Sequence, residues 1–200
     1  SDGTRRTRRR LIRPVPRVMS RRAVLGAGLA AFAVLASCRP HQDIHYIPTP
    51  EPVVDAMLEM AAVHEGDVLY DLGSGDGRIP IEAARQFGVR AVGIEIDPIL
   101  LRRARANAEE AGVADLVEFR EADLFTSDFS DATVVTLFLG DTLNLRLRPR
   151  LLEQLPPGTR VVSHHFDMGE WEPDETRTVL NRPVYKWTVP QYFVPGFGAS

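Results

Sequence analysis

The chain is almost without lysine and cysteine. Lys186 is its single lysine against 23 arginines, which we read as a coding bias with no functional meaning. Cys38 is its single cysteine, so no disulfide can form within the chain. One cysteine and five scattered histidines also give no zinc-ligand spacing. Long apolar runs are missing as well. The longest, residues 23–37, spans roughly 22 Å as a helix, short of the ~30 Å hydrocarbon core of a bilayer. There is no internal repeat. Positive charge is scarce beyond the first segment: residues 1–37 hold nine arginines and one acid, whereas residues 38–200 hold 15 basic and 26 acidic side chains, a net charge of −11. Such a surface lacks the clustered cations that track phosphates, and it tolerates a basic protein substrate. Two hundred residues suffice for one domain with a real core.

Residues 1–37 read as an address. Arg21-Arg22 precedes the short apolar run and small residues close it, the pattern of an export signal of twin-arginine type. Leu35-Ala36-Ser37-Cys38 resembles a bacterial lipobox, in which the cysteine is lipidated. The expectation is an exported, membrane-anchored protein facing the extracytoplasmic side, with the signal at 19–38; an uncleaved inner-membrane anchor or a cytoplasmic protein is the alternative. Met19 is a sensible start. Residues 38–52 form the linker and lead-in, 53–195 the folded domain, and a monomer is expected.

Within the domain, apolar residues at helical spacing predict a helix over 53–63. Strands are expected at 68–72, 91–96, 116–120, 132–139 and 160–163. Helices are expected at 79–87, 98–111 and 149–155. A terminal hairpin pairs 178–180 with 184–189 around Asn181-Arg182-Pro183. Alternating strands and helices imply right-handed crossovers. The fold class is therefore α/β: a Rossmann-like, doubly wound, mainly parallel seven-stranded sheet with a C-terminal antiparallel hairpin.

Ligands of such sheets bind beyond the carboxyl ends of the strands. Three predicted tips carry signals. After strand one comes Asp71-Leu72-Gly73-Ser74-Gly75-Asp76-Gly77; its glycines let backbone approach a ligand closely, and its acids suit a cationic group better than a pyrophosphate. The spacing does not fit Gly-x-Gly-x-x-Gly. After strand two, Glu95 can accept both hydroxyls of a ribose, while Asp97, ahead of Pro98, reads as a helix N-cap. After strand three stand Asp123 and Leu124. An acid here can accept from an adenine amino group, with the next N–H facing the ring; the rival reading of Asp123 is a cap for a turn at 124–127.

The first of these loops, with Gly73, Ser74, Gly75 and Gly77, resembles motif I of the class I S-adenosylmethionine (SAM) methyltransferases. Tyr46-Ile47-Pro48-Thr49, Leu147-Arg148-Pro149-Arg150-Leu151, Gly158-Thr159-Arg160-Val161-Val162-Ser163 and Trp171-Glu172-Pro173 narrow the likeness. They resemble small bacterial relatives of the mitochondrial protein-lysine N-methyltransferases that modify the ATP synthase c-subunit and the adenine nucleotide translocase. The resemblance covers roughly 45–190. It implies SAM as cofactor, a fold of the class I kind, and Tyr46 and Thr49 folding back over the cofactor; as a surface lead-in, 46–49 would read equally well. Asp71 then fixes the loop or accepts from the methionine ammonium, directly or through water.

After strand four, amino-directed nucleic-acid methyltransferases carry Asn/Asp-Pro-Pro-Tyr/Phe. Here stands Leu137-Phe138-Leu139-Gly140-Asp141, so no nucleic-acid acceptor is expected. A lysine or other amine is. Candidates to line its path are Asp141, Asp167 and Trp171, with His164-His165 read as one packed ring and one solvated. The competing functions are a small-molecule N- or O-methyltransferase and an exported, non-catalytic SAM- or nucleoside-binding lipoprotein.

Overall fold

The computed structural model describes residues 46–191. The export signal, the lipobox cysteine Cys38 and residues 192–195 of the expected domain lie outside the described residues.

The chain alternates helix and strand: α1 (Glu51–Met60), β1 (Val68–Leu72), α2 (Arg78–Phe87), β2 (Arg90–Glu95), α3 (Pro98–Glu110), β3 (Val117–Glu121), β4 (Val134–Leu137), α4 (Asp141–Gln154), β5 (Arg160–His164), β6 (Glu175–Val179) and β7 (Arg182–Thr188). Seven strands form one sheet in the order β3-β2-β1-β4-β5-β7-β6. The first five are parallel; β7 pairs antiparallel with β5 and with β6. The order reverses between β1 and β4, which creates the crevice expected of a doubly wound sheet.

Alternation along the strands divides the core into two layers. Leu69, Val134 and Val162 face α1, α2 and α3, among Val53, Met57, Ile81, Ala84, Leu101 and Ala104. Tyr70, Leu72, Val135, Leu137 and Val161 face α4 through Leu147 and Leu151, with Phe129 and Trp187 filling the same layer. Asp97 is the N-cap of α3: its carboxylate accepts from the Ile99 N–H at 2.7 Å, with Pro98 in the first turn. Among the described residues, no helix is long and apolar enough to cross a membrane.

Two expectations need correction. The helix expected at 149–155 starts eight residues earlier, at Asp141, and Pro149 lies inside it. Pro149 is exposed, as is Leu145, whose carbonyl it leaves without a helical partner, so water can satisfy that oxygen. The hairpin turn is also tighter than expected. Leu180 and Asn181 make it, both with positive φ (50° and 61°), and Pro183 sits in β7 opposite Thr178. That is the backbone of a type I′ turn, whose twist matches the paired strands. Across the hairpin, Lys186 donates to Glu175 at 3.1 Å.

Candidate active site

The glycine loop is bent by backbone bonds to the neighbouring strand. Gly73 and Ser74 both donate to the Ile94 carbonyl, at 2.8 and 3.0 Å, and Gly77 donates to Ser74 at 2.9 Å. Gly73 (φ 85°) and Gly75 (φ 55°) occupy left-handed conformations. A β-carbon on Gly73 would stand 2.5 Å from Leu139, at the tip of β4, and one on Gly75 would strike the Tyr46 ring. Gly77 serves packing: its missing β-carbon makes room for Phe119 and Ala104.

Glu95, at the end of β2, reaches back to this bend. Its Oε2 accepts from the Gly75 N–H at 2.9 Å, and its Oε1 from the Ile96 and Asp97 N–H groups at 2.8 and 2.9 Å. Three backbone donors therefore fix the carboxylate, and about one of its roughly four lone-pair sites stays open.

Asp71 lies deeper. It is buried, and its Oδ1 accepts from the Thr136 hydroxyl at 2.8 Å. Burial pushes its carboxyl up to about 7; the Thr136 bond lowers it, and the charges of Glu95 and Asp76 raise it further. The Ser74 hydroxyl is buried with no hydrogen-bond partner. A cationic group beside Asp71 and a polar group beside Ser74 would relieve both costs.

The lead-in closes over the bend. The carbonyl of Thr49 accepts from Arg78 Nη1 at 2.8 Å, and Arg78 holds Asp76 in a two-point pair through Nε (3.0 Å) and Nη2 (2.7 Å). Burial raises the Tyr46 hydroxyl, and its hydrogen bond to Asp76 raises it further. Thr49 is buried, and its hydroxyl stands 3.4 Å from Nδ1 of His164.

His164 and His165 divide as the sequence suggested: the first is fully buried, the second exposed. Burial, then the charges of Arg182 and His165, pushes His164 down to about 4, so it is neutral at physiological pH.

The remaining candidates spread around the rim. Asp123 is exposed, and its Oδ1 accepts from Phe125 at 2.8 Å, the turn-capping geometry of the rival reading; its second carboxylate oxygen carries no such bond. Leu124 packs against the α4 layer. Asp141 opens α4 and is exposed. Asp167 accepts from Gly169 at 2.8 Å and shapes the turn after β5. Trp171 is half-buried against Trp187, whose indole N–H donates to its carbonyl at 2.6 Å. These three line loops after β4 and β5 and share no hydrogen bond. Asn144 was not anticipated. Fully buried in the first turn of α4, it donates to Ser163 Oγ (3.1 Å), the Phe166 carbonyl (3.0 Å) and the Asp167 carbonyl (3.3 Å). Nothing in the sequence separates it from any other polar residue of a helix. Among the described residues no acidic, histidine or cysteine cluster could hold a metal.

Comparison with known proteins agrees with this geometry. The ANTKMT methyltransferase domain matches residues 71–175. A protein-lysine N-methyltransferase of Saccharolobus islandicus (strain REY15A) is 46% identical over 76% of this chain and 97% of its own length. The adenine nucleotide translocase lysine N-methyltransferase of Mus musculus is 34% identical over 76% of this chain and 69% of its own. A crystal structure of an RNA methyltransferase from Salinibacter ruber in complex with S-adenosyl-L-homocysteine (SAH) is 64% identical, with a TM-score of 0.73, over 74% of this chain and 97% of that one. With a buried acid, a cradle of positive-φ glycines and a fixed carboxylate at adjacent strand tips, the chain belongs to the ANTKMT methyltransferase domain family and is a SAM-dependent methyltransferase.

Proposed function

We propose that the chain methylates the side-chain amine of a lysine in a protein. SAM, when bound, supplies an electrophilic methyl group on a sulfonium, and the protein's part is alignment and exclusion of water. The single observation that carries the site is the bond from Gly75 N–H to Glu95 Oε2, which locks the glycine bend to the β2 tip. In this reading the open lone pair of Glu95 takes a ribose hydroxyl. Asp71 and Ser74 face the methionine end, Gly73 and Gly75 let the chain pass beneath, and Gly77 turns it into α2. Asp123 offers its unused oxygen, and Leu124 its N–H, to the adenine. Tyr46 and Thr49 cover the cofactor.

Three observations favour lysine. Relatives that the chain matches over most of its length are protein-lysine N-methyltransferases. The tip of β4 carries Phe138-Leu139 where an amino-directed nucleic-acid enzyme needs hydrogen-bonding groups. Phe138 stacks near Phe166 at 5.9 Å, an aromatic wall suited to an alkyl stem and its cationic end. RNA is the second reading, favoured by the description of the Salinibacter ruber relative. The −11 charge of residues 38–200 weighs against it.

The deciding experiment incubates the full chain with tritiated-methyl SAM, membrane proteins and total RNA, then digests with protease or ribonuclease. Protease-sensitive label that mass spectrometry maps to lysine is expected. Ribonuclease-sensitive label would overturn the reading, and label on free metabolites would point to a small-molecule enzyme. SAH binding without any transfer would mark a non-catalytic binder. Glu95→Ala should abolish SAH binding in calorimetry. We further infer that residues 19–38 attach the protein to a membrane on the extracytoplasmic side; deletion of residues 19–38 should then move it into the soluble fraction. We take it to act as a monomer, which sedimentation can check.

A further inference from the structure

Period-two alternation carries one face of the sheet upward from Leu69, Val134 and Val162 to Asp71, Thr136, Phe138 and His164. These four therefore share one face at the carboxyl tips of β1, β4 and β5. Two of them are explained: Thr136 donates to Asp71. His164 is not. Its ring is fully buried, yet Nε2 has no hydrogen-bond partner. Phe138 lies against it with ring centroids 4.1 Å apart, and the Thr49 hydroxyl occupies its Nδ1 side.

The backbone is bent to place it so. His165 adopts φ 71°, a left-handed conformation that costs a residue with a β-carbon roughly 1–2 kcal/mol. The strained turn sends one imidazole inward and the next outward, and the Phe166 N–H closes it on the His164 carbonyl at 2.9 Å. Strain of this kind persists where the surroundings demand it, and it concentrates at functional sites.

We infer that His164 is a catalytic residue that accepts an N–H of the acceptor amine through Nε2. The inference rests on the lysine reading above and deepens it. In the tautomer this role requires, Nδ1–H faces the Thr49 hydroxyl oxygen and the Nε2 lone pair is left bare. Burial keeps the ring neutral, so it does not repel an entering amine. The aromatic rings of Phe138 and Phe166 beside the imidazole favour the uncharged amine, whose extra proton passes to water before transfer. With one N–H held by Nε2, the nitrogen lone pair would be free to face the methyl carbon. The N–C bond would form as the C–S bond breaks, SAH would leave with the sulfur electron pair, and the methylated, positively charged amine would leave or release its surplus proton to water. Thr49, in the lead-in, covers the Nδ1 edge of the ring, so the amine must approach from the opposite, Nε2 edge.

The test has two arms, both on the full chain. The first measures kcat, KM and SAH affinity for His164→Leu and His164→Gln, since the glutamine amide oxygen can stand where Nε2 does. His164→Leu should lower kcat roughly 100-fold, in the range of a lost proton-accepting group, with SAH affinity within twofold of the parent. His164→Gln should recover at least tenfold of that loss. Unchanged kcat in His164→Leu, a parallel loss of SAH binding, or a glutamine no better than leucine overturns the assignment. The second arm titrates SAH-saturated, 15N-histidine-labelled protein with n-butylamine and follows the His164 Nε2 resonance. A saturable shift, lost in His164→Leu, is expected; no shift overturns the assignment even if the natural acceptor is not a lysine. Absence of lysine label in the parent enzyme, by contrast, defeats the functional reading alone.

Discussion

Asp71 and His164 make the protein respond to pH in opposite directions. The Asp71 carboxyl is pushed up to about 7 from 3.8, so the folded state holds a proton that the unfolded chain releases. The stability this gives is full below about pH 4 and is lost as pH rises through 7. His164 is pushed down to about 4 from 6.5, so its contribution is present above 6.5 and is lost as pH falls through 4. Over the shared window the two slopes offset each other. Asp71→Asn keeps the acceptor for Thr136 and removes the ionisation. It should melt above the parent at pH 8, with the gap closing by pH 4, while His164→Gln should flatten the acid limb. Scanning calorimetry of the ligand-free protein across pH 4–8 checks both, and parallel curves for parent and variants would refute the account.

At the scale of elements, α4 is held by a side chain the sequence does not advertise. Asn144→Ala leaves the buried Ser163 Oγ and two part-buried carbonyls short of a donor and should cost about 1–3 kcal/mol in urea unfolding. The β6–β7 turn offers the opposite case. Leu180 is 60% exposed and holds φ 50°, so it buries little and strains its backbone. Leu180→Asn should stabilise by roughly 0.5–1 kcal/mol, because asparagine tolerates the left-handed region. The same two elements show where sequence reasoning reached and where it stopped. Strands β1, β2, β4 and β5 were legible as short, mostly apolar runs between turn residues, and β3 as an alternation of Val117 and Phe119 with charged residues. The first half of α4 was not, because Leu143, Leu145 and Leu147 alternate as in a strand and Pro149 reads as a helix start. Polar β6, Glu175-Thr176-Arg177-Thr178-Val179, hides for the same reason it suits a sheet edge: its charges discourage pairing with another chain. At the site, Asp71 and Glu95 were legible from loop chemistry. The Thr136 bond, the open Nε2 of His164 and the hub at Asn144 depend on which strands become neighbours, and that is fixed only by the packed sheet.

Taken whole, the molecule is a minimal version of its architecture: the crossover from β3 to β4 contains no helix, and residues 122–133 cover that part of the sheet with Phe125 and Phe129. Its charge sets its company. With −11 over residues 38–200, it should bind poly(U) more weakly than about 10 µM at 150 mM salt by fluorescence anisotropy; tighter, salt-steep binding would reopen the RNA reading. The pairing of Lys186 with Glu175 has a practical corollary. Only one ε-amino group exists in the entire polypeptide, and it is already clasped across a hairpin. An alkylating catalyst so built offers itself almost no target, so its own gel band should stay dark in an autoradiograph while its client lights up.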